Sequence, residues 1–159
     1  MMNLVSSTDK ILTTPCEKFD FSNPPFDPSE FARNLVKFMY DQKGIGLAAN
    51  QIGVPYQIFA MRGQPENFVC FNPKIVDASN EEILLDEACL TYPGLSVKIK
   101  RPRHVRVRFN TPNGDTLTKQ FTGMTARIVQ HEIDHLNGIL FYNRANKFHR
   151  DQAFRKYKK

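Results

Sequence analysis

The chain has 159 residues, a length that predicts one compact domain spanning residues 1–159. Hydrophobic residues make up 41% of it and charged residues 24%, which is ordinary for a globular protein. No apolar run approaches the length needed to cross a bilayer, and the first ten residues lack the apolar core of a secretion signal. Cys16, Cys70 and Cys89 are odd in number and widely spaced, which argues against a disulfide framework. We therefore expect a cytoplasmic protein with no membrane partner.

The net charge of +6 is concentrated at the carboxyl end of the chain. In residues 136–159, seven Lys/Arg against one Asp account for all of it. All seven cations lie within residues 144–159, which we call the basic segment. Such a segment suits an electrostatic contact with a polyanion, such as the RNA of a ribosome. A solvated helical end that only aids solubility is an equally good interpretation.

The first periodic segment is a helix that follows Asp27. Asp27 is a favourable capping residue, Pro28 suits a first turn, and Glu30 stands where a capping box has its carboxylate. The apolar side chains that recur at helical spacing are Phe31, Leu35, Phe38 and Met39. Gly44 is the natural end of this helix.

The next segment, Gly44–Gln51, is dense in small residues. Gly44-x-Gly46-x-x-Ala49 imitates a dinucleotide-binding fingerprint, but that motif must follow a strand, and here a helix precedes it. We therefore expect no nucleotide cofactor. Small residues such as Gly46 let backbone approach a substrate closely, and Gln51 supplies a directed amide. A tight turn packed under a neighbouring element is the alternative interpretation.

The region from residue 57 to residue 121 has the patterns of short strands. Between Val105 and Phe109 the apolar residues alternate with arginines, which predicts a half-buried strand, and Asn113-Gly114 is a strong turn signal. Several prolines favour short antiparallel strands over a parallel sheet. The predicted strands are Gln57–Met61, Phe68–Phe71, Ile83–Leu85, Val97–Ile99, Val105–Phe109 and Leu117–Phe121.

A second helix, predicted over Thr122–Asn137, carries the motif His131-Glu132-x-x-His135. Histidines four residues apart lie one turn apart on the same side of a helix, so both imidazoles can bind one metal ion. Glu132 is close enough to act on water at such a metal. The motif is short, and two ordinary surface or core histidines are the alternative. With a further helix from about Asn146, the elements predict an α+β fold, in which short antiparallel strands pack around a central helix.

A catalytic site of this type needs three protein ligands and one open position. The downstream position that is histidine in metzincins is Phe141, and no glutamate follows His135. Cys89, just after the apolar Ile83-Leu84-Leu85 run, is the best upstream candidate, because a thiolate with two imidazoles makes a sound tetrahedral set. Cys70 lies in a strand-like run and is interpreted as a buried apolar residue. A buried structural thiol is the alternative interpretation for Cys89 as well.

Three segments together resemble the motifs of the peptide deformylase family, in that family's order and approximate spacing. These segments are Gly44–Gln51, Glu87-Ala88-Cys89-Leu90-Thr91 and Gln130-His131-Glu132-Ile133-Asp134-His135. The resemblance departs from the family at Ala88, where glycine is usual, and at Thr91, where serine is usual. It implies a metal-dependent hydrolase that removes the N-formyl group from the initiator methionine of nascent polypeptides and releases formate.

The resemblance also implies roles for individual residues. Cys89, His131 and His135 would hold one divalent metal ion, and Glu132 would carry the proton between water and leaving amine. The residues implied to donate hydrogen bonds to the formyl oxygen are Gln51, through its side-chain amide, and Leu90, through its backbone N–H.

Further residues are implied to surround the substrate. They are Ile45, Gly46, Leu85, Glu87, Met124 and Ile128. Core packing is an equally good interpretation for the four apolar residues among them. Glu87 is implied to support the site, paired with either Arg101 or Arg103, and the sequence does not choose between these two.

The donor set is compatible with zinc, iron(II), nickel or cobalt, and the resemblance favours iron(II). Two other functions compete with deformylation. A general metallopeptidase or amidase could use the same residues, although the missing downstream ligand counts against it. A non-enzymatic RNA- or ribosome-associated module is suggested only by the basic segment, and it gives no reason for the Cys/His/Glu/His constellation.

Overall fold

The computed structural model describes residues 2–158. The α-helices are α1 Pro28–Asp41, α2 Gly123–Leu136 and α3 Lys147–Tyr157. The strands are β1 Gly46–Ala48, β2 Ile58–Met61, β3 Phe68–Ala78, β4 Glu82–Ala88, β5 Ser96–Pro102, β6 His104–Asn110 and β7 Thr116–Thr122. Short 3-10 helices are formed by Lys10–Thr13, Ala49–Ile52 and Phe141–Arg144. The predicted α+β fold is confirmed.

Helix α1 begins as its sequence predicts. The Asp27 carboxylate accepts hydrogen bonds from the backbone N–H groups of Ser29 and Glu30, at 3.0 and 3.3 Å. Leu35 and Met39 of the apolar stripe are fully buried. These contacts fix α1 against β1 and β2 and bring the end of the helix to the start of the Gly44–Gln51 segment.

Lys43 ends α1 in a left-handed conformation, with a φ of 59°. The Gly44 N–H donates to the Met39 carbonyl and the Lys43 N–H to the Tyr40 carbonyl, both at 2.9 Å. This pair of bonds is the Schellman arrangement, in which the left-handed residue is usually glycine. The backbone at Lys43 is therefore held firmly, in a conformation that a side chain disfavours.

The strands form two antiparallel sheets. One contains five strands in the order β1-β2-β3-β6-β7, and the other is the β4–β5 hairpin. In the hairpin, Glu87 lies opposite Val97 and Ala88 opposite Ser96. Antiparallel pairing throughout agrees with the proline-punctuated sequence.

Strand β3 is longer than predicted. The predicted end at Phe71 is wrong, because the strand continues past Asn72-Pro73 to Ala78. Asn72 has a φ of 51°, and the register against β6 shifts between Phe71 and Lys74. A bulge of this kind places the proline, which has no N–H, outside the ladder and lets pairing resume.

Helix α2 lies between the two sheets and contacts strands of both. Ala126, Val129, Ile133 and Leu136 pack into the core formed with the five-stranded sheet. The opposite side of α2 faces the β4–β5 hairpin and carries the H-E-x-x-H motif. The predicted central helix is thus buried on two sides, and no helix in the described residues is long and apolar enough to cross a membrane.

Candidate metal and substrate site

The three predicted metal ligands meet between α2 and the end of β4. His131 and His135 lie one turn apart on α2, with ring centroids separated by 5.0 Å. Strand β4 ends at Ala88, so Cys89 is the first residue beyond it, and its Sγ lies 3.3 Å from His135 Nε2. One donor atom from each of the three side chains lies within 4.8 Å of the others, and all three residues are buried.

This donor set fits a divalent cation. A thiolate with two imidazoles is a ligand set that zinc and iron accept. The His131 Nδ1 atom pairs with the Glu87 carboxylate at 2.9 Å, which leaves Nε2 to face a metal. Burial alone would lower the pKa of His131, but hydrogen bonds to Cys89 and Glu87 outweigh it and raise the pKa to about 10. The surroundings of this ring therefore favour a positive charge at the cluster.

Glu132 lies beside the ligands without joining them. It is buried, and its Oε1 atom has no hydrogen-bond partner among the described residues. Burial raises the pKa of Glu132 to about 7, against the lowering effect of His131. A Cβ atom at Gly46 would lie only 2.5 Å from Glu132 Oε2. Glycine is therefore needed at position 46 because the carboxylate packs directly against the backbone there.

Gln51 is aimed at the same cluster. Its Oε1 atom accepts the Ala48 N–H at 2.9 Å, and its Nε2 atom donates to Thr91 Oγ1 at 3.0 Å and to Cys89 Sγ at 3.5 Å. These contacts fix both ends of the amide. The neighbouring Leu90 N–H donates no hydrogen bond within residues 2–158.

Glu87 lies behind His131, in a buried ion-pair network. Arg101 approaches its carboxylate with Nε and Nη2, at 2.5 and 3.0 Å, and Arg127 with Nη1 at 2.7 Å. Burial alone would raise the pKa of Glu87, but hydrogen bonds to His131 and Arg101 lower it to about 2. The open choice of partner is thereby resolved as Arg101, since Arg103 pairs at 3.1 Å with the exposed Glu81.

The network extends through residues to which the sequence assigns no role. Asp134 accepts hydrogen bonds from Arg101 Nη1 and Arg144 Nη2, each at 2.8 Å. Arg127, besides binding Glu87, donates to the Ile99 and Ile83 carbonyls. Helical spacing was the one sequence signal that could have linked Arg127 to the site, because Arg127 lies four residues before His131, on the same side of α2.

A cavity of about 480 Å³ opens beside the ligands. Five of the six residues predicted around the substrate line it, namely Ile45, Gly46, Glu87, Met124 and Ile128. Leu85 is half-buried in β4, opposite Ile99, and lies outside this lining. A larger cavity, of about 660 Å³, lies elsewhere and is lined by none of the three ligands.

The two departures from the family motif are accommodated. Among the described non-glycine residues, only Lys43 and Asn72 have positive φ, so Ala88 is in a conformation that alanine adopts without strain. Its side chain is exposed at the cavity. Thr91 is buried and uses the hydroxyl that serine would also provide, as the acceptor for Gln51.

Comparison with known proteins decides the family. A model of the family described as polypeptide deformylase matches residues 1–151. The chain belongs to this family. It is 34% identical to a peptide deformylase of Wolbachia pipientis subsp. Culex pipiens, over 98% of this chain and 93% of that one. It is 41% identical to one of Natranaerobius thermophilus, over 75% of this chain and 77% of the relative.

Solved structures agree with this membership. The peptide deformylase of Thermus thermophilus superposes with a TM-score of 0.92 at 28% identity, over 99% of this chain and 93% of that one. That of Ehrlichia chaffeensis gives 0.83 at 34% identity, over 99% and 94%. The protein is accordingly a metal-dependent hydrolase that removes the N-formyl group from nascent polypeptides. The prediction from the three sequence motifs is confirmed.

Proposed function

We propose that Cys89, His131 and His135 bind the metal of this deformylase, one ion per chain, and that the physiological ion is iron(II). The observation that carries the proposal is the meeting of these three buried donors within 4.8 Å, at the side of the substrate-sized cavity. Zinc, nickel and cobalt suit the same donors. When bound, the ion supplies Lewis-acid chemistry, since it polarises a carbonyl and makes water more acidic.

The proton moves through Glu132. Its carboxylate accepts a proton from the attacking water and returns it to the amine of methionine when the formyl C–N bond breaks. The absence of a hydrogen-bond partner at Oε1 among the described residues supports this role, because one oxygen is left for water. The other oxygen packs against the backbone of Gly46, where a larger residue would displace it.

The formyl oxygen gains negative charge as its carbon becomes tetrahedral, and it needs donors that are already in place. We assign these to the Gln51 amide and the Leu90 backbone N–H. The Gln51 hydrogen directed at Cys89 lies beside the ligands, and sulfur is a weak acceptor, so little is lost when this hydrogen bonds to the substrate instead. Thr91 retains the second amide hydrogen and keeps the side chain from rotating.

Residues that line the cavity recognise the substrate. Ile45, Met124 and Ile128 provide the apolar surface for the methionine side chain. Glu87 also lines the cavity, but its carboxylate is occupied by His131, Arg101 and Arg127. We therefore assign Glu87 the positioning of His131, and no contact with the peptide.

A formate-release assay on formylated and unformylated peptides, with metal analysis of the same samples, tests these assignments. We expect Glu132→Ala to retain metal and lose turnover, and Cys89→Ala to lose metal. Cys70→Ala is the matched control, because Cys70 is fully buried in the core and should leave metal content unchanged. Metal loss in the Cys70 variant, or cleavage of unformylated peptides by the wild type, would contradict the proposal.

We propose further that residues 1–159 act as one catalytic domain in the cytoplasm, and that the basic segment contacts ribosomal RNA. Arg144 is engaged by Asp134 and Lys147 by Asp151, so these two cations are already paired. The exposed cations of α3 and its end that take part in no ion pair within residues 2–158 are Arg155, Lys156 and Lys158. They are the groups through which a polyanion would be held.

Charge reversal tests the ribosome contact better than truncation does. Removing α3 would expose the core that it covers, since Ala153 is buried against β5. Reversing Arg155, Lys156 and Lys158 together should weaken cosedimentation with ribosomes at low salt and leave formate release from small peptides unchanged. Reversal of Lys10, Lys37 and Lys100, which are exposed elsewhere, is the control. If both triple variants lost cosedimentation equally, the basic segment would act only through the net charge of the protein, and the proposed contact would be contradicted.

A further inference from the structure

The mouth of the substrate cavity carries little free charge. Among the charged residues that line it, Glu87 and Arg127 are buried and bind each other, and Glu132 is buried beside the metal ligands. Asp86 is exposed, and Lys98 lies 3.5 Å from its carboxylate. Lys43 is exposed and takes part in no ion pair within the described residues. The uncompensated charge at the mouth is therefore one lysine.

The backbone of Lys43 is fixed beside the cavity by hydrogen bonds. The two bonds of the Schellman arrangement fix its backbone at the end of α1, immediately before Gly44 of the cavity lining. Its φ of 59° is one in which glycine would be less strained. Residues in this conformation occur often at binding and catalytic sites, so the outlier is consistent with a role for the lysine side chain at the cavity.

We propose that Lys43 selects for acidic residues directly after the initiator methionine of the formylated peptide. The inference deepens the proposed function and rests on it. A nascent polypeptide enters the cavity by its formylated end, so the residues after methionine leave through the mouth, where Lys43 stands. An exposed ion pair there changes kcat/KM by about two- to five-fold. Because both charges are in water, the preference weakens as salt concentration rises.

The test compares formyl-Met-Asp-Ala with formyl-Met-Lys-Ala on the metal-loaded protein, by formate release. The measured quantity is the ratio of the two kcat/KM values within each variant. Wild type should favour the aspartate peptide, Lys43→Gly should bring the ratio towards one, and Lys43→Glu should invert it. Lys10→Glu, the same change in net charge outside the cavity lining, should keep the wild-type ratio.

The Lys43→Gly variant also separates selectivity from folding. It removes the charge and at the same time suits the left-handed backbone, so loss of preference in this variant cannot be attributed to strain. The competing explanation is that the lysine only complements the dipole at the end of α1. In that case Lys43→Gly and Lys43→Glu would keep the wild-type ratio, and the inference would be overturned. Failure of wild type to release formate even from formyl-Met-Ala-Ala would instead overturn the proposed function.

Discussion

Helix α2 has two buried faces that are stabilised in opposite ways. The apolar face comprises Ala126, Val129, Ile133 and Leu136, and the polar face comprises Arg127, His131, Glu132, Asp134 and His135. The apolar face needs only neighbours of suitable shape, because hydrophobic contacts have no direction. Arg127, His131 and Asp134 of the polar face have partners of fixed geometry, which they need because an unpaired buried charge is costly. One helix thus supports the fold with one face and the chemistry with the other.

The largest effect should follow from breaking the polar face at Asp134. Asp134→Ala removes the carboxylate that both Arg101 and Arg144 bind, so Glu87 alone must balance the buried charges of Arg101 and Arg127. We expect a loss of about 3–5 kcal/mol in the free energy of unfolding, measured by urea denaturation. Asp86→Ala, which breaks the exposed pair with Lys98, is the control and should cost no more than about 1 kcal/mol. Equal costs would mean that burial of the network is energetically unimportant.

Acid should weaken the polar face selectively. The folded-state pKa of Glu87, about 2, lies below its ordinary value of 4.5. The ionised carboxylate therefore stabilises the fold above pH 4.5, and this stability is lost as pH falls from 4.5 towards 2. The contribution is about 3 kcal/mol, measured as the pH dependence of urea unfolding of the metal-free protein. In Glu87→Gln, the free energy of unfolding should depend less on pH between pH 4.5 and pH 2. An unchanged dependence would mean that other carboxylates cause it.

A smaller effect, on activity alone, should follow from Gly46→Ala. The added methyl would lie 2.5 Å from Glu132 Oε2 and 3.0 Å from Ile128 Cγ2, so the carboxylate must move. Displacement of a catalytic group by about 1 Å costs roughly 100-fold in rate, or about 2.7 kcal/mol. Formate release measures the loss, and far-ultraviolet circular dichroism checks that the fold persists. Loss of metal content in Gly46→Ala would mean that the effect does not act through the carboxylate.

The apolar face should give the smallest effect. Ile133→Val removes one methylene from the core and should cost about 1 kcal/mol of stability by urea denaturation. Turnover should not change, because Ile133 lines neither the substrate cavity nor the ligand set. A drop in kcat at unchanged metal content would show that the two faces are coupled more tightly than their contacts indicate.

The two faces also differ in how far the sequence predicts them. The helix itself, its apolar side and the His131, Glu132 and His135 constellation follow from spacing within one segment. Cys89 followed from elimination and from ligand chemistry, and the structure brings it to the two histidines. Arg101 and Arg103 could not be told apart, because residues two apart in an extended chain tend to share a side. Only the tertiary position of β5 against α2 distinguishes them.

Other differences have similarly local causes. Gly46–Ala48 forms a buried edge strand that is too short to leave a periodic pattern. The sequence did not predict that β3 continues past Asn72-Pro73, because proline normally ends the hydrogen bonding between strands. The roles of Asp134 and Arg127 depend on partners 10 to 44 residues away in the chain, which periodicity does not reveal.

The network behind His131 bears on the order in which a newly made copy of this enzyme becomes competent. The last ligand is His135, but the Glu87–Arg101–Asp134 linkage that supports His131 is completed by Arg144, nine residues later. A copy still emerging from its ribosome can therefore contain all three ligands and lack the ion pair between Arg144 and Asp134. Maturation of the catalyst should lag behind synthesis of its ligands until the chain beyond Arg144 has folded.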